Sequence, residues 1–120
     1  MARVVAIEER TAAIYDAAVA SFKKHRITVD ALAAMIDGAI LPELHITHAR
    51  LKALDGVPVE HMLLVAAAEH YVQLRERSWR RRAQGLLTSN MRMLQEAEVT
   101  ERAALEALRK IRPAAGSRGQ

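Results

Sequence analysis

Cysteine is absent from the sequence, which removes disulfide frameworks, thiolate zinc sites, thiol catalysis and iron–sulfur clusters. Aromatic residues make up only 3% of it while apolar types reach 51%, so an interior must be built from Ala, Leu, Ile, Val and Met. Glycine and proline are scarce too, at five and three. No segment alternates β-branched and polar residues between turn dipeptides, which leaves strands without support. A run of about 18 apolar residues, the minimum for a membrane helix, is also missing. The first ten residues are interrupted by Arg3, Glu8, Glu9 and Arg10. Neither a membrane span nor a signal peptide is therefore expected, and the expected location is the cytoplasm.

What is present is a chain of 120 residues whose 18 Lys and Arg outweigh 14 Asp and Glu by a formal charge of +4. That length suits one domain with one core. Ala, Leu, Arg and Glu, all good helix formers, fill the intervals between breakers, so the expected class is all-α. A first helix is expected from Arg3 to Lys24, with Val4, Ile7, Thr11, Ile14, Ala18 and Phe22 recurring at helical spacing. Thr28 is placed to cap a second helix, whose stripe is Leu32, Ile36, Ile40, Leu44, Leu51 and Leu54. Gly38 and Pro42 lie inside that pattern, and since proline has no N–H to offer the carbonyl of Gly38, a kink is expected there.

Asp55, Gly56 and Val57 read as a turn, with Pro58 opening a third helix that runs to Leu87. Its inward positions are Leu64, Ala67, Ala68, Tyr71, Leu74, Ser78, Trp79, Ala83 and Leu86, with the indole N–H of Trp79 expected at the rim. Thr88, Ser89 and Asn90 supply the next turn, and a fourth helix carries Met93 or Leu94, Ala97, Thr100, Ala104, Leu108 and Ile111 inward before Pro113 stops it. Four amphipathic helices joined by short turns imply an antiparallel up-down-up-down four-helix bundle over residues 1–112, followed by a flexible tail over 113–120. A proline inside the second helix and another opening the third resemble the layout of small, uncharacterised bacterial helical-bundle accessory domains. The resemblance spans most of the chain and implies the architecture but no activity.

The most visible chemical cluster is Arg75, Arg77, Arg80, Arg81 and Arg82 around Trp79. Guanidinium groups at this density could neutralise phosphates while an exposed indole stacks on a base. A hairpin turning near Ser89, however, sets Glu96, Glu98 and Glu101 across from Arg82, Arg80 and Arg77, so a basic helix should face an acidic one. Glu76 and Arg80 also form a favourable i, i+4 pair. No helix-turn-helix, RRM or KH signature accompanies the cluster, which argues against nucleic acid as a partner.

Among five histidines, His45 and His48 share a helical face, and the hairpin at Asp55 to Gly56 brings His61 within a turn of them. A metal or haem site from His45, His48 and His61, with Glu60 or Glu69 as a further ligand, is therefore a rival reading. The Glu-x-x-His pairs of di-iron bundles are missing, since Glu60 and Glu69 directly precede His61 and His70. The kink could open a ligand pocket among Leu41, Leu44, His45, His70, Tyr71 and Leu74. No Gly-x-Ser-x-Gly elbow or glycine-rich phosphate loop is present, and Glu8 with Glu9 reads as an ordinary solvated pair. The sequence thus points to a non-enzymatic accessory or protein-interaction module without a cofactor, self-associating through an Ala- and Leu-bearing helix face.

Overall fold

A computed structural model describes residues 2–117, side chains being placed over 3–111, and shows helices joined by short turns with no strand among the described residues. The elements are α1 (Ala2–Lys23), α2 (Val29–Met35), a π-helical segment (Ile36–Ile40), α3 (Leu41–Lys52), α4 (Val59–Thr88) and α5 (Met91–Ser117). The segments from α2 to α3 form one unbroken rod, the second helix of a four-helix bundle measuring 49 × 25 × 22 Å. α4 packs most extensively against α5 and, on its other side, against the α2–α3 rod, while α1 touches that rod and α5. These neighbours are those of an up-down-up-down bundle, with α1 and α4 on the diagonal.

Local chemistry sets the helix ends. The hydroxyl of Thr28 accepts from the N–H of Ala31 at 3.1 Å and so caps α2, as its position in the sequence implies. α1 and α4 end alike. The N–H of Arg26 reaches the carbonyl of Ser21 at 2.9 Å and that of Asn90 reaches Gly85 at 2.9 Å, a Schellman pattern that turns His25 (φ 59°) and Ser89 (φ 51°) into the left-handed region. Asn90 then caps α5, its Oδ1 accepting from the N–H of Met93 at 3.1 Å. Pro58 has extended ψ and sits just before α4 instead of inside its first turn. α5 continues past Pro113 to Ser117, where the sequence reading placed the stop. Proline at 113 withholds only the N–H that would meet the carbonyl of Arg109 four residues back, the loss of one helical bond. The expected tail otherwise falls on 118–120, outside the described residues.

Just before Pro42, over Ile36–Ile40, the second helix adopts π geometry, the N–H of Leu41 bonding the carbonyl of Ile36 five residues back. The spacing of the core stripe supplies the reason. Leu32, Ile36, Ile40 and Leu44 recur every four residues, and at 3.6 residues per turn each step overshoots by about 40°, about 120° over three steps. The wider π turn takes up that drift beside a residue that cannot donate the regular bond. All four side chains consequently stay buried.

The core joins Val4 and Ile7 of α1 and the second-helix stripe to Ala68, Tyr71, Val72, Trp79 and Ala83 of α4 and Ala104, Leu108 and Ile111 of α5. Full burial of each large apolar side chain contributes about 1.5–3 kcal/mol. Gly85 permits α4 to approach α5 closely, since a Cβ there would lie 3.0 Å from Leu94 side-chain atoms. Leu54, the last member of the second-helix stripe, falls beyond α3 and is half exposed.

Candidate functional site

The bundle centre holds charge as well as hydrocarbon. Glu8 of α1 is buried, contrary to its reading as a solvated acid, and it faces Arg75 of α4 across the diagonal. Arg75 Nε donates to Glu8 Oε1 at 2.8 Å and Nη2 to Oε2 at 3.1 Å, a two-pronged contact. Its Nη1 donates to Glu101 Oε1 of α5 at 2.9 Å and to Ser78 Oγ at 3.1 Å. The guanidinium carbon lies 4.4 Å from the centroid of the Trp79 ring. Tyr71 adds a hydrogen bond from its hydroxyl to Glu8. Burial opposes the charge on Arg75, but the bonds and charges of Glu8 and Glu101 outweigh it and raise its pKa. Burial, reinforced by the Glu8 charge, likewise raises that of the Tyr71 phenol.

This network corrects the basic-patch reading. Arg75 is an interior residue, and Trp79, only 1% exposed, cannot stack on a base. Its indole N–H is buried without a hydrogen-bond partner instead of lying at the rim, and the guanidinium of Arg75 and the ring of Tyr15, 5.0 Å away between centroids, pack against the indole. The remaining arginines largely meet acids. Arg80 pairs with Glu76, Arg81 with Glu96 and Arg82 with Glu101, whereas Arg77 has no ion pair among the described residues. A basic α4 does face an acidic α5, in a register shifted from simple reflection, and Glu98 pairs with Arg102 of its own helix. The i, i+4 pair of Glu76 and Arg80 forms as read from the sequence.

The histidines divide. His45 and His48 of α3 both point at Glu76 of α4, their Nδ1 atoms 3.6 Å from Oε2 and 3.0 Å from Oε1. His61 does not join them, and no group of three His, Asp or Glu able to hold a metal occurs among the described residues. Axial proximity across a hairpin does not ensure a shared face, and adjacent helical residues point about 100° apart. Glu76 is buried and spent on three cationic or imidazole partners, while Nε2 of His48 is sealed from solvent without a hydrogen-bond partner.

The expected interior pocket does not assemble as read. Leu44 and Tyr71 are fully buried, Leu74 packs against the core and His70 is exposed on α4. Leu41 and His45 instead line a solvent-open cleft of about 500 Å³ with Pro42, Ile46, Glu76 and Arg80. Elsewhere, a groove of about 470 Å³ lies between α1 and α3, bordered by Val4, Ile7, Leu51 and Leu54 and by Arg3, Arg10 and Arg50.

The outer face of the first turns of α4 is apolar. Val59, Met62 and Leu63 are 80%, 56% and 85% exposed, and Ala66 extends the stripe by one more turn. Beyond it the same face turns polar through His70, Gln73 and Arg77, all exposed. No helix among the described residues is long and apolar enough to cross a membrane. No family model, curated protein or solved structure matches the chain, so the likeness to helical-bundle accessory domains rests on the helix pattern alone.

Proposed function

We propose that the protein is a non-enzymatic helical-bundle interaction module that pairs with a second copy of itself through the start of α4. The observation that carries this reading is the stripe of Val59, Met62, Leu63 and Ala66, at i, i+3, i+4 and i+7, exposed over two turns. That is the spacing of a helix seam. Large side chains exposed on one face do nothing for the monomer and gain about 1.5–3 kcal/mol each on full burial. Doubled over a two-fold contact, the gain is about 10 kcal/mol, against an association cost of about 4–15 kcal/mol. A weak, concentration-dependent dimer is the consequence.

Charge selects the arrangement. An antiparallel contact centred on Leu63 joins the apolar halves and carries each Arg77, fourteen residues further on, about 21 Å from the centre in opposite directions. A parallel contact would set the two arginines side by side. The two-fold arrangement uses the same patch on both copies. A non-enzymatic role is supported by Glu76, the one buried carboxylate bordering the Leu41–His45 cleft, already facing His45, His48 and Arg80 as its partners. Light scattering across a concentration series tests the proposal. The mass should climb from monomer towards dimer in the wild type and stay monomeric in Leu63→Asp, whose circular dichroism should be unchanged because residue 63 is exposed. A monomer at every concentration, or equal association by both proteins, would refute it.

A further inference from the structure

We infer that the groove between α1 and α3 is a docking site for an acidic amphipathic helix of a partner protein, at a surface separate from the α4 stripe. The floor is apolar and recessed: Val4, Ile7 and Leu51 are buried, and half-exposed Leu54 forms the lip. The rim is cationic, with Arg3 and Arg10 on one side and Arg50 on the other, and no acidic residue lines the groove. Arg10 is already held by Glu43 at 2.8 Å, but Arg3 and Arg50 have no ion pair among the described residues. These two exposed guanidinium groups therefore await a counter-charge across an apolar channel.

The geometry selects a helix as occupant. Arg3, Ile7 and Arg10 follow one face of α1, and Thr47, Arg50 and Leu54 one face of the α3 end. They make two ridges about 10 Å long, or roughly two turns of a third helix laid between them. Leucines at i, i+3 and i+4 would fill the floor while flanking glutamates met Arg3 and Arg50. A flat anionic bilayer would reach those arginines but not Ile7 and Leu51 beneath them. Nucleic acid would meet the arginines but gain nothing from an apolar floor.

The test uses a blocked synthetic peptide of about 18 residues, roughly five turns, with leucines at helical spacing and glutamates elsewhere, alongside a copy with lysine for every glutamate. The protein is the Leu63→Asp variant, so that loss of self-association and loss of peptide binding are read separately. The glutamate peptide should bind, shift the amide resonances of Ile7, Thr47 and Leu51, and weaken as salt is raised. Arg3→Glu combined with Arg50→Glu should lower its affinity by about tenfold or more. Both sites are exposed, and an unchanged thermal melt will show that the fold is intact. Absence of binding, equal binding of the lysine copy, or equal binding by the double variant would overturn the inference. So would resonance shifts confined to residues 59–66, or association only with phosphatidylserine vesicles.

Discussion

Replacing Glu8 by Gln exchanges one carboxylate oxygen for an NH2 group and removes one charge, yet it should destabilise the bundle severely. Glu8 receives the Arg75 fork at 2.8 and 3.1 Å and the Tyr71 hydroxyl, all in the buried centre. Removing one member of such a pair costs about 3–5 kcal/mol, chiefly because the remaining charge is left buried and poorly paired. Glu101, its side chain 27% exposed and 2.9 Å from Arg75, retains part of the interaction, which places the expected loss near the lower end, about 3 kcal/mol. At this chain length about 1 kcal/mol moves the melting temperature by roughly 3–5 °C, so Tm should fall by about 10–15 °C. Urea denaturation followed by circular dichroism gives the free energy directly. The companion variant Glu8→Leu, Tyr71→Phe, Arg75→Met removes charge and hydroxyl together. Well-packed apolar replacements of buried ion pairs are commonly neutral or stabilising, so it should lie within about 2 kcal/mol of wild type. A loss below about 1 kcal/mol for Glu8→Gln, or a companion variant as unstable as the single changes summed, would refute the role assigned to the buried pair.

Three further outcomes follow from the same physics. Ser89 caps α4 at φ 51°, a conformation glycine adopts without steric cost, so Ser89→Gly should raise stability by about 0.5–1 kcal/mol in urea denaturation. Gly38 lies in the π segment with open space where a Cβ would go and no positive φ, so Gly38→Ala should also stabilise by about 0.5–1 kcal/mol. Both Tyr15 and Tyr71 have raised pKa values, in each case mainly through burial. Their unfolded counterparts ionise near pH 10, so this contribution to stability is complete below about pH 10 and is lost as pH rises above it. Absorbance at the tyrosinate band should therefore appear together with unfolding; free titration of both phenols near pH 10 in the folded protein would contradict the packing described.

The apolar stripes were legible because each helix repeats them at a spacing that only one face can satisfy, as Ala97, Ala104, Leu108 and Ile111 do on α5. The polar core was hidden by the same rule, which assigns charged residues to the surface. A positional signal was nevertheless present. Glu8 lies four residues after Val4 and three before Thr11, and Arg75 lies four from both Tyr71 and Trp79, so both fall inside stripes whose other members are buried. Axial register alone could not place the imidazoles, because the rotation of α3 about its axis depends on the π segment that precedes it. His45 consequently points to Glu76 from an 80% exposed position instead of into the bundle. The α4 stripe was legible only in part, since Val59, Met62 and Leu63 read as apolar whether they face a core or a partner.

The role of that stripe is the central claim, and the mass of the protein in solution measures it most directly. Multi-angle light scattering from micromolar to near-millimolar concentration should show wild-type mass rising from the 13.3 kDa of one chain towards twice that value, with Leu63→Asp remaining at the monomer mass. A wild-type mass that stays at one chain throughout, or a variant that follows the same rise, would contradict the account.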